Sequence, residues 1–476
     1  MASVFYNEGE VKKRPGVYQR HTNIGFDAPS GAQDGICAIP VQATWGPLGK
    51  VVKNVTVKEL EKNYGAGTYG TGYTVPAAAA MFAGGAATVF TYRMGTGGSK
   101  GTKELAEGLT VTAKHVGTMA ISVAVQEKIA DTTRKQFLVY AGTTLVESFD
   151  FVADAKNEGA NLVAAVADST YVDVTATGDT VATVPVLAVA SGALEGGANP
   201  TVTNSDYSTA FAALEPYYYN TIALDVDDDE EMTLSLLLQS YLANAYKLGK
   251  LGIAVVGEKT TATFATRCTH ARAFNDCKVV YLGNGYMVGN ESKDGVMAIC
   301  YTAGLIAATP SNQGITHTVI NGATDLCEPL TFAQYEEAVD AGMLLLSMSP
   351  DGSVWYDTGI TTLTSPETST QDNGWKKIRR VKVRFELIDR LDRALAPKVG
   401  RVSADTDGVA DIVQAGQRIM NAMANNEGKL AVGATFIEDP SHPYTGDSAW
   451  FIIQADDIDS LEKIYLQYQF RYSQNS

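Results

Sequence analysis

YYYNTIALDV (217–226), LGIAVVGE (251–258) and CKVVYLGN (277–284) are three short apolar runs set at regular distances. Between them lie DDDEEMTLSLLLQSYLANAYKLGK (227–250) and TTATFATRCTHARAFN (260–275). The short runs are rich in β-branched residues and read as buried strands. The longer segments read as helices. The first of these opens on acids and closes on lysines, as a helix dipole favours. VMAICYTAGLIAATP (296–310) continues as a buried helix stopped at Pro310. LTFAQYEEAVDAGMLLLSMS (330–349) adds a helix capped by Thr331 and a further strand. Strands alternating with helices imply a parallel or mixed sheet covered by helices.

The pattern changes upstream. ICAIPVQATW (36–45) reads as a strand, but Pro40 assigns it to a sheet edge or a bulge. VTVKELEKNY (55–64) and AAAAMFAGG (77–85) read as helices, and ATVFTYRM (87–94) as a strand. Glycine-rich GTGGSKG (95–101) and SGALEGGANPT (191–201) then bracket a block of Val, Thr and Ala. Its alternating runs and one helix near 157–168 predict a small β-sandwich-like unit inserted into a larger domain, with the two breaks as flexible hinges.

WKKIRRVKVRFELIDRLDRAL (375–395) carries Lys376, Lys377, Arg379, Arg380, Lys382, Arg384, Arg390 and Arg393. It is the one basic stripe in a chain of formal charge −16. It reads either as a solvated strand-helix face balanced by Glu386, Asp389 and Asp392, or as a contact for an acidic partner. ADIVQAGQRIMNAMANNEGKL (410–430) reads as an amphipathic helix. AWFIIQADDIDSLEKIYLQYQFRY (449–472) gives two strands around an acidic turn. In the second, Ile464, Leu466, Tyr468, Phe470 and Tyr472 share one face.

With 476 residues and 45% hydrophobic composition, the chain has material for two to four domains. Its 53 Asp plus Glu against 37 Lys plus Arg argue against nucleic acid as a direct partner. Five scattered cysteines without a CxxC fit a reducing compartment. MASVFYNEGEVKKRPG (1–16) has no apolar core of a secretory signal, and VPAAAAMFAGGAATVF (75–90) is too short and glycine-broken to span a bilayer, so no membrane insertion is expected.

The searches for chemistry end in structural readings. GAGTYG (65–70) matches GxGxxG but follows a helix rather than a strand. LGNGYMVG (282–289) follows a strand but has GxGxxxG spacing and reads as a tight turn. DVDDDEE (225–231) lacks the Gly and Glu of a calcium loop and reads as helix capping. No two of His21, His115, His270, His317 and His442 stand at metal-ligand spacing. No catalytic residue, metal or cofactor is expected.

GGAATVFTYRM (84–94), AGLIAATPSNQGITHTVINGATDL (303–326), LTFAQYEEAVDAGMLLLSMSPDGSVWYDTGITTLT (330–364) and DSLEKIYLQYQFR (459–471), in this order, resemble the tail sheath proteins of contractile phages and related injection machines and bacteriocins. The resemblance covers most of the chain outside 100–200, where that family carries variable insertions. It implies a non-enzymatic structural subunit with an α+β / α/β multidomain fold. The divisions are an N-terminal arm (1–20), a mixed-sheet core in two parts (21–99 and 201–365), an inserted mainly-β outer domain (100–200), a C-terminal domain (366–460) and a C-terminal arm strand (461–476). It further implies stacked, commonly hexameric rings around an inner tube, with baseplate and tail terminator proteins as further partners. Assembly is expected in the bacterial host cytoplasm, into a virion tail or tail-like particle. Arms would link neighbours through Val4, Phe5, Tyr6, Val11, Val17, Tyr18, Ile464, Leu466, Tyr468, Phe470 and Tyr472, and the basic stripe would face the tube. The alternatives are an α/β enzyme carrying a β-type binding module, and a tail-tube or capsid protein.

Overall fold

The computed structural model describes residues 4–5, 18–19, 34–154, 157–176, 189–228, 230–367 and 370–470. Its centre is a seven-stranded sheet in the order Met343–Leu344, Val279–Leu282, Ile253–Gly257, Thr221–Ala223, Ile36–Val41, Thr88–Arg93, Val51–Asn54. The first six run parallel, and Val51–Asn54 closes the edge antiparallel. Apolar side chains point to both faces, as a helix-covered sheet requires. One face packs against helices Val57–Tyr64, Val75–Ala83, Val296–Ala308 and Ile378–Leu395. The other packs against Asn204–Leu214, Thr233–Lys247, Phe264–Phe274 and Phe332–Ala341. The layers are therefore helix, sheet, helix. The sheet mixes strands from before and after the inserted block into one core.

Pro40 is not in an edge strand. Ile36–Val41 lies inside the sheet, between Thr221–Ala223 and Thr88–Arg93. The short neighbour pairs only with Cys37 and Ala38. It ends before Pro40, so the missing N–H of proline breaks no ladder on that side. The helix after the acids starts at Thr233 rather than at the acids themselves, and Asp228 caps it by accepting from the N–H groups of Leu234 (3.0 Å) and Ser235 (2.6 Å).

The inserted block forms two antiparallel sheets, one of four strands and one of three, around a shared apolar core. Helix Glu158–Ala165 closes one side. The glycine-rich breaks are not free hinges. They pair with one another through antiparallel bridges Thr96–Thr201, Ser99–Ala198 and Thr102–Glu195, each with reciprocal N–H···O bonds of 2.8–3.1 Å. Glycine is needed because the strands approach closely: at Gly98 (φ +80°) a Cβ would stand 2.8 Å from the Ala198 oxygen.

Trp45, from the loop after Ile36–Val41, inserts into the core of the inserted domain. It is 3% exposed, stacks on Tyr171 (5.8 Å) and meets the His115 ring edge-on (4.8 Å). A ribbon and an aromatic plug thus tie the insertion to the body. Trp45→Ala should cost roughly 3–5 kcal/mol locally. Amide exchange should rise across the insertion strands and stay unchanged in the central sheet. Equal loosening of both would mean that Trp45 belongs to the central core.

Beyond the central core, helix Ile378–Leu395 turns Val383, Leu387 and Leu391 toward a separate C-terminal core. That core also takes Ile419 and Met420 of helix Thr406–Asn421 and Phe436 of the hairpin Thr435–Glu438/Phe451–Gln454. The same helix gives Val381 and Phe385 to the central core. It is the shaft that joins the two.

Candidate functional site

Two groups of expected site residues meet in the structure: the basic stripe and the root of the C-terminal segment. Ile378–Leu395 is one continuous helix preceded by a 3₁₀ turn, not a strand followed by a helix. Positions 377, 380 and 384 fall on one side of it, and 382, 386 and 390 on the opposite side.

On the first side the Arg380 guanidinium grips Asp457 with two bonds, Nε–Oδ2 2.6 Å and Nη2–Oδ1 2.8 Å. Arg384 adds a third to Asp457 (3.0 Å), binds Asp372 twice (2.9 and 3.0 Å) and stacks 4.6 Å over Trp375. Bidentate arginine–carboxylate pairs are strong and directional. The Asp457 side chain is 6% exposed. Burial pushes its carboxyl up, but the bonds and charges of Arg380 and Arg384 outweigh this and hold it down at about 2. Lys377 pairs with Glu462, which also accepts from Thr316 (3.1 Å). The backbone is fixed as well: Ala431 donates to Asp456 (2.7 Å) and Ile458 to Lys429 (3.0 Å).

On the second side Lys382 is buried and donates to the carbonyls of Ile306 (2.5 Å) and Thr309, at the end of helix Val296–Ala308. Burial lowers its ammonium to about 8, with Asp34 and Glu386 opposing. Arg390 pairs with Glu386 (2.5 Å) and Glu427 (2.6 Å). Arg393 pairs with Asp389 (3.0 Å). Arg379 is buried beside the charges of Asp459 and Asp457. Most of the stripe is therefore engaged within the chain rather than solvated. Lys376 alone of the eight carries no bonded side-chain partner and no buried setting among the described residues.

After Glu462 the chain leaves the body. Ile464, Leu466 and Tyr468 are each at least 70% exposed, Tyr465 is 88% exposed and Phe470 92%. Residues 464–470 carry no helix or strand and pair with no strand among the described residues, so the two-strand reading of 449–472 holds only for Phe451–Gln454. Among the described residues, the shared face of Ile464, Leu466, Tyr468 and Phe470 is not buried within this chain. At the other end Val4–Phe5 pairs parallel with Tyr18–Gln19. Tyr6, Val11, Val17 and Tyr472 lie outside the described residues.

The strand ends of the central sheet, where doubly wound folds bind ligands, are engaged otherwise. Asp227 caps Val296 (2.9 Å) and Asn284 is tied to Leu346 by both its amide atoms (2.9 and 2.8 Å). Glu258 joins His270 (2.7 Å) and Tyr281, a cluster invisible in the sequence because its members lie on three elements. No group of metal-ligating side chains occurs among the described residues, and no helix there is long and apolar enough to cross a membrane.

Among the described residues, Asp225 is the one fully buried carboxyl at these ends. It accepts from Thr74 (2.5 Å) and Tyr207 (2.8 Å). Burial raises it to about 6, against the lowering by these bonds. A raised carboxyl is protonated more readily folded than unfolded, so stability present below about pH 4 is lost as pH rises to about 6, roughly 3 kcal/mol in all. Asp225→Asn should abolish that slope. Amide exchange of strand Thr221–Ala223 between pH 4 and 7 reads it out, and an unchanged slope would reject the assignment.

Residues 201–362 match the model of the phage tail sheath protein central domain. Protein XkdK of the phage-like element PBSX of Bacillus subtilis (strain 168) is 24% identical over 97% of this chain and 98% of its own length. The fold is similar to that of a sheath tail protein of Listeria innocua, with a TM-score of 0.69 and 20% identity over 90% of this chain and 96% of that one. It is also similar to the helical sheath of the anti-feeding prophage in its contracted state, with a TM-score of 0.53 and 12% identity over 96% of this chain and 99% of that one.

Proposed function

We propose that this chain, which carries the phage tail sheath central domain and the sheath fold over nearly its whole length, is the structural subunit of a contractile tail sheath. Subunits stack as rings around an inner tube, and contraction drives the tube through a target envelope. The observation that carries this reading is the C-terminal segment. Its root is clamped by Lys377, Arg380 and Arg384, while the aromatic residues beyond Glu462 are exposed. An unpaired apolar strand is a liability in a free monomer. In a filament it is a connector that adds to a neighbour's sheet by main-chain hydrogen bonds. The two-stranded hairpin Thr435–Glu438/Phe451–Gln454 offers edges for such addition. Head-to-tail contacts that do not close on themselves generate helical stacks.

Connectors fixed at one end and joined to a neighbour at the other let the bodies rotate without parting, a rigid-body change between two packings. The extended state then persists behind a kinetic barrier until triggered. In this reading the partners are further copies of the chain, the inner tube, and baseplate and terminator proteins. The particle is a virion tail or tail-like device assembled in the host cytoplasm. With most of the stripe engaged inside the chain, contact with the tube falls to its more open members, such as Arg393, whose side chain is 37% exposed. The enzyme alternative would need free chemistry at the strand ends, where Asp227 instead caps a helix, Asp225 binds hydroxyls and Glu258 binds His270 and Tyr281. Negative-stain microscopy of the purified chain tests the proposal: tubes or sleeves of stacked rings are expected, and discrete particles at every concentration would reject it.

A further inference from the structure

The pair Asn-Gly occurs three times in the chain, at 284–285, 321–322 and 373–374. It is chemically labile. With no side chain on the second residue, the backbone nitrogen there can swing onto the amide carbon of the asparagine. The fold treats the three pairs differently. At the first, the Asn284 amide is buried, donates to the Leu346 carbonyl (2.9 Å) and accepts from the Leu346 N–H (2.8 Å). Gly285 is crowded as well, since a Cβ there would stand 2.5 Å from the Lys293 oxygen. At the third, Gly374 is buried and its N–H donates to Asp372 (2.8 Å), so that nitrogen is occupied. At the second, Asn321 and Gly322 are the exposed corners of a turn closed by the Ala323 N–H on the Ile320 oxygen (3.2 Å). Gly322 takes φ +82°, as the third position of a type II turn requires. Nothing lies within 4 Å of where a Gly322 Cβ would sit. Among the described residues, neither the Asn321 side-chain amide nor the Gly322 N–H is hydrogen-bonded.

We propose that Asn321 is a self-modification site, deamidating in the folded chain while Asn284 and Asn373 are protected. The Gly322 nitrogen bonds to the Asn321 Cγ, and the Cγ–Nδ2 bond breaks. The proton of the Gly322 N–H leaves with Nδ2 as ammonia, which closes a succinimide ring. Water then opens the ring at either carbonyl, its hydroxyl going to carbon and its proton to nitrogen. The products are aspartate and its β-linked isomer, and neither an enzyme nor an oxidant takes part. The turn is anchored on both sides. The Asn321 N–H donates to the hydroxyl of buried Tyr301, and the Thr324 N–H donates to the Met287 oxygen (2.8 Å). The β-linked backbone is one atom longer and loosens the turn between these anchors. Both products add a negative charge four residues before Asp325. The inference goes beyond the sheath reading and does not depend on it.

Mass-spectrometric peptide mapping of the full-length chain, aged warm at mildly alkaline pH, tests this. Conversion at Asn321 is expected at least tenfold faster than at Asn284 or Asn373. Isoaspartyl methyltransferase should label the β-linked product at that pair alone of the three. In a denaturing concentration of urea the three rates should come within a few-fold of one another, because the locks on Asn284 and Gly374 are then gone. Conversion at Asn321 no faster than at the other two in the folded chain would overturn the inference. So would the same preference persisting in urea, which would place its cause in the local sequence rather than in the fold.

Discussion

A chain lacking Ile464–Ser476 is expected to fold and not to polymerise. The body gives up little, because the large apolar side chains from Ile464 to Phe470 are each at least 70% exposed, with Tyr468 stacked on Phe470 at 6.2 Å. Surface changes of this kind stay within about 0.5 kcal/mol. The assembly gives up much. Burying each large apolar side chain at a neighbour is worth about 1.5–3 kcal/mol before ordering costs. Losing several such terms at every joint removes the gain that holds rings together. Sedimentation and negative stain should show a monomer with the melting behaviour of the full chain. Tubes formed by the truncated chain would reject the connector role. An unfolded product would show that the segment belongs to its own body.

Much of the layered core was legible because buried parallel strands and their covering helices write distinct periods into the sequence. LGIAVVGE and CKVVYLGN are strands, and VMAICYTAGLIAATP is the buried helix ending before Pro310. The inserted block announced itself by composition, yet its attachment did not. Trp45 carries no local mark of belonging to a core built from residues far beyond it, and glycines that suggest a hinge also allow the close ribbon seen at Gly98. Pro40 misled because its effect depends on how far a neighbouring strand reaches.

The candidate site divides in the same way. The alternation of IYLQYQFRY is a property of the segment itself and could be read directly. The basic stripe could be read only in part: Glu386 and Asp389 stand one helical turn from Arg390 and Arg393, but Asp457, which holds Arg380, stands 77 residues away. A charge run read locally looks solvated. Folded, it holds the root of the very segment whose purpose was in question.

That separation between root and tip is what Asp457→Ala isolates. The variant keeps every residue of the exposed tip and removes the carboxylate that Arg380 and Arg384 share. Breaking a desolvated pair from one side leaves charge without a partner and costs several kcal/mol. Arg384 retains Asp372, so the expected local loss is about 2–4 kcal/mol, and the shielded geometry makes it insensitive to moderate salt. The wild-type chain should mimic it in acid. Asp457 titrates at about 2, below the ordinary 3.8, so the clamp is complete above about pH 4 and is lost as pH falls toward 2. The span is worth roughly 2 kcal/mol. Amide exchange and proteolysis at 455–462 should rise in the variant at neutral pH while the central sheet stays protected. If polymers then fail or shorten despite an intact tip, the connector works only when its direction of exit is fixed. If the root loosens and assembly is unchanged, the tip alone suffices and the clamp serves the monomer. An unloosened root would mean that Lys377 and the backbone bonds at Ala431 and Ile458 hold it by themselves.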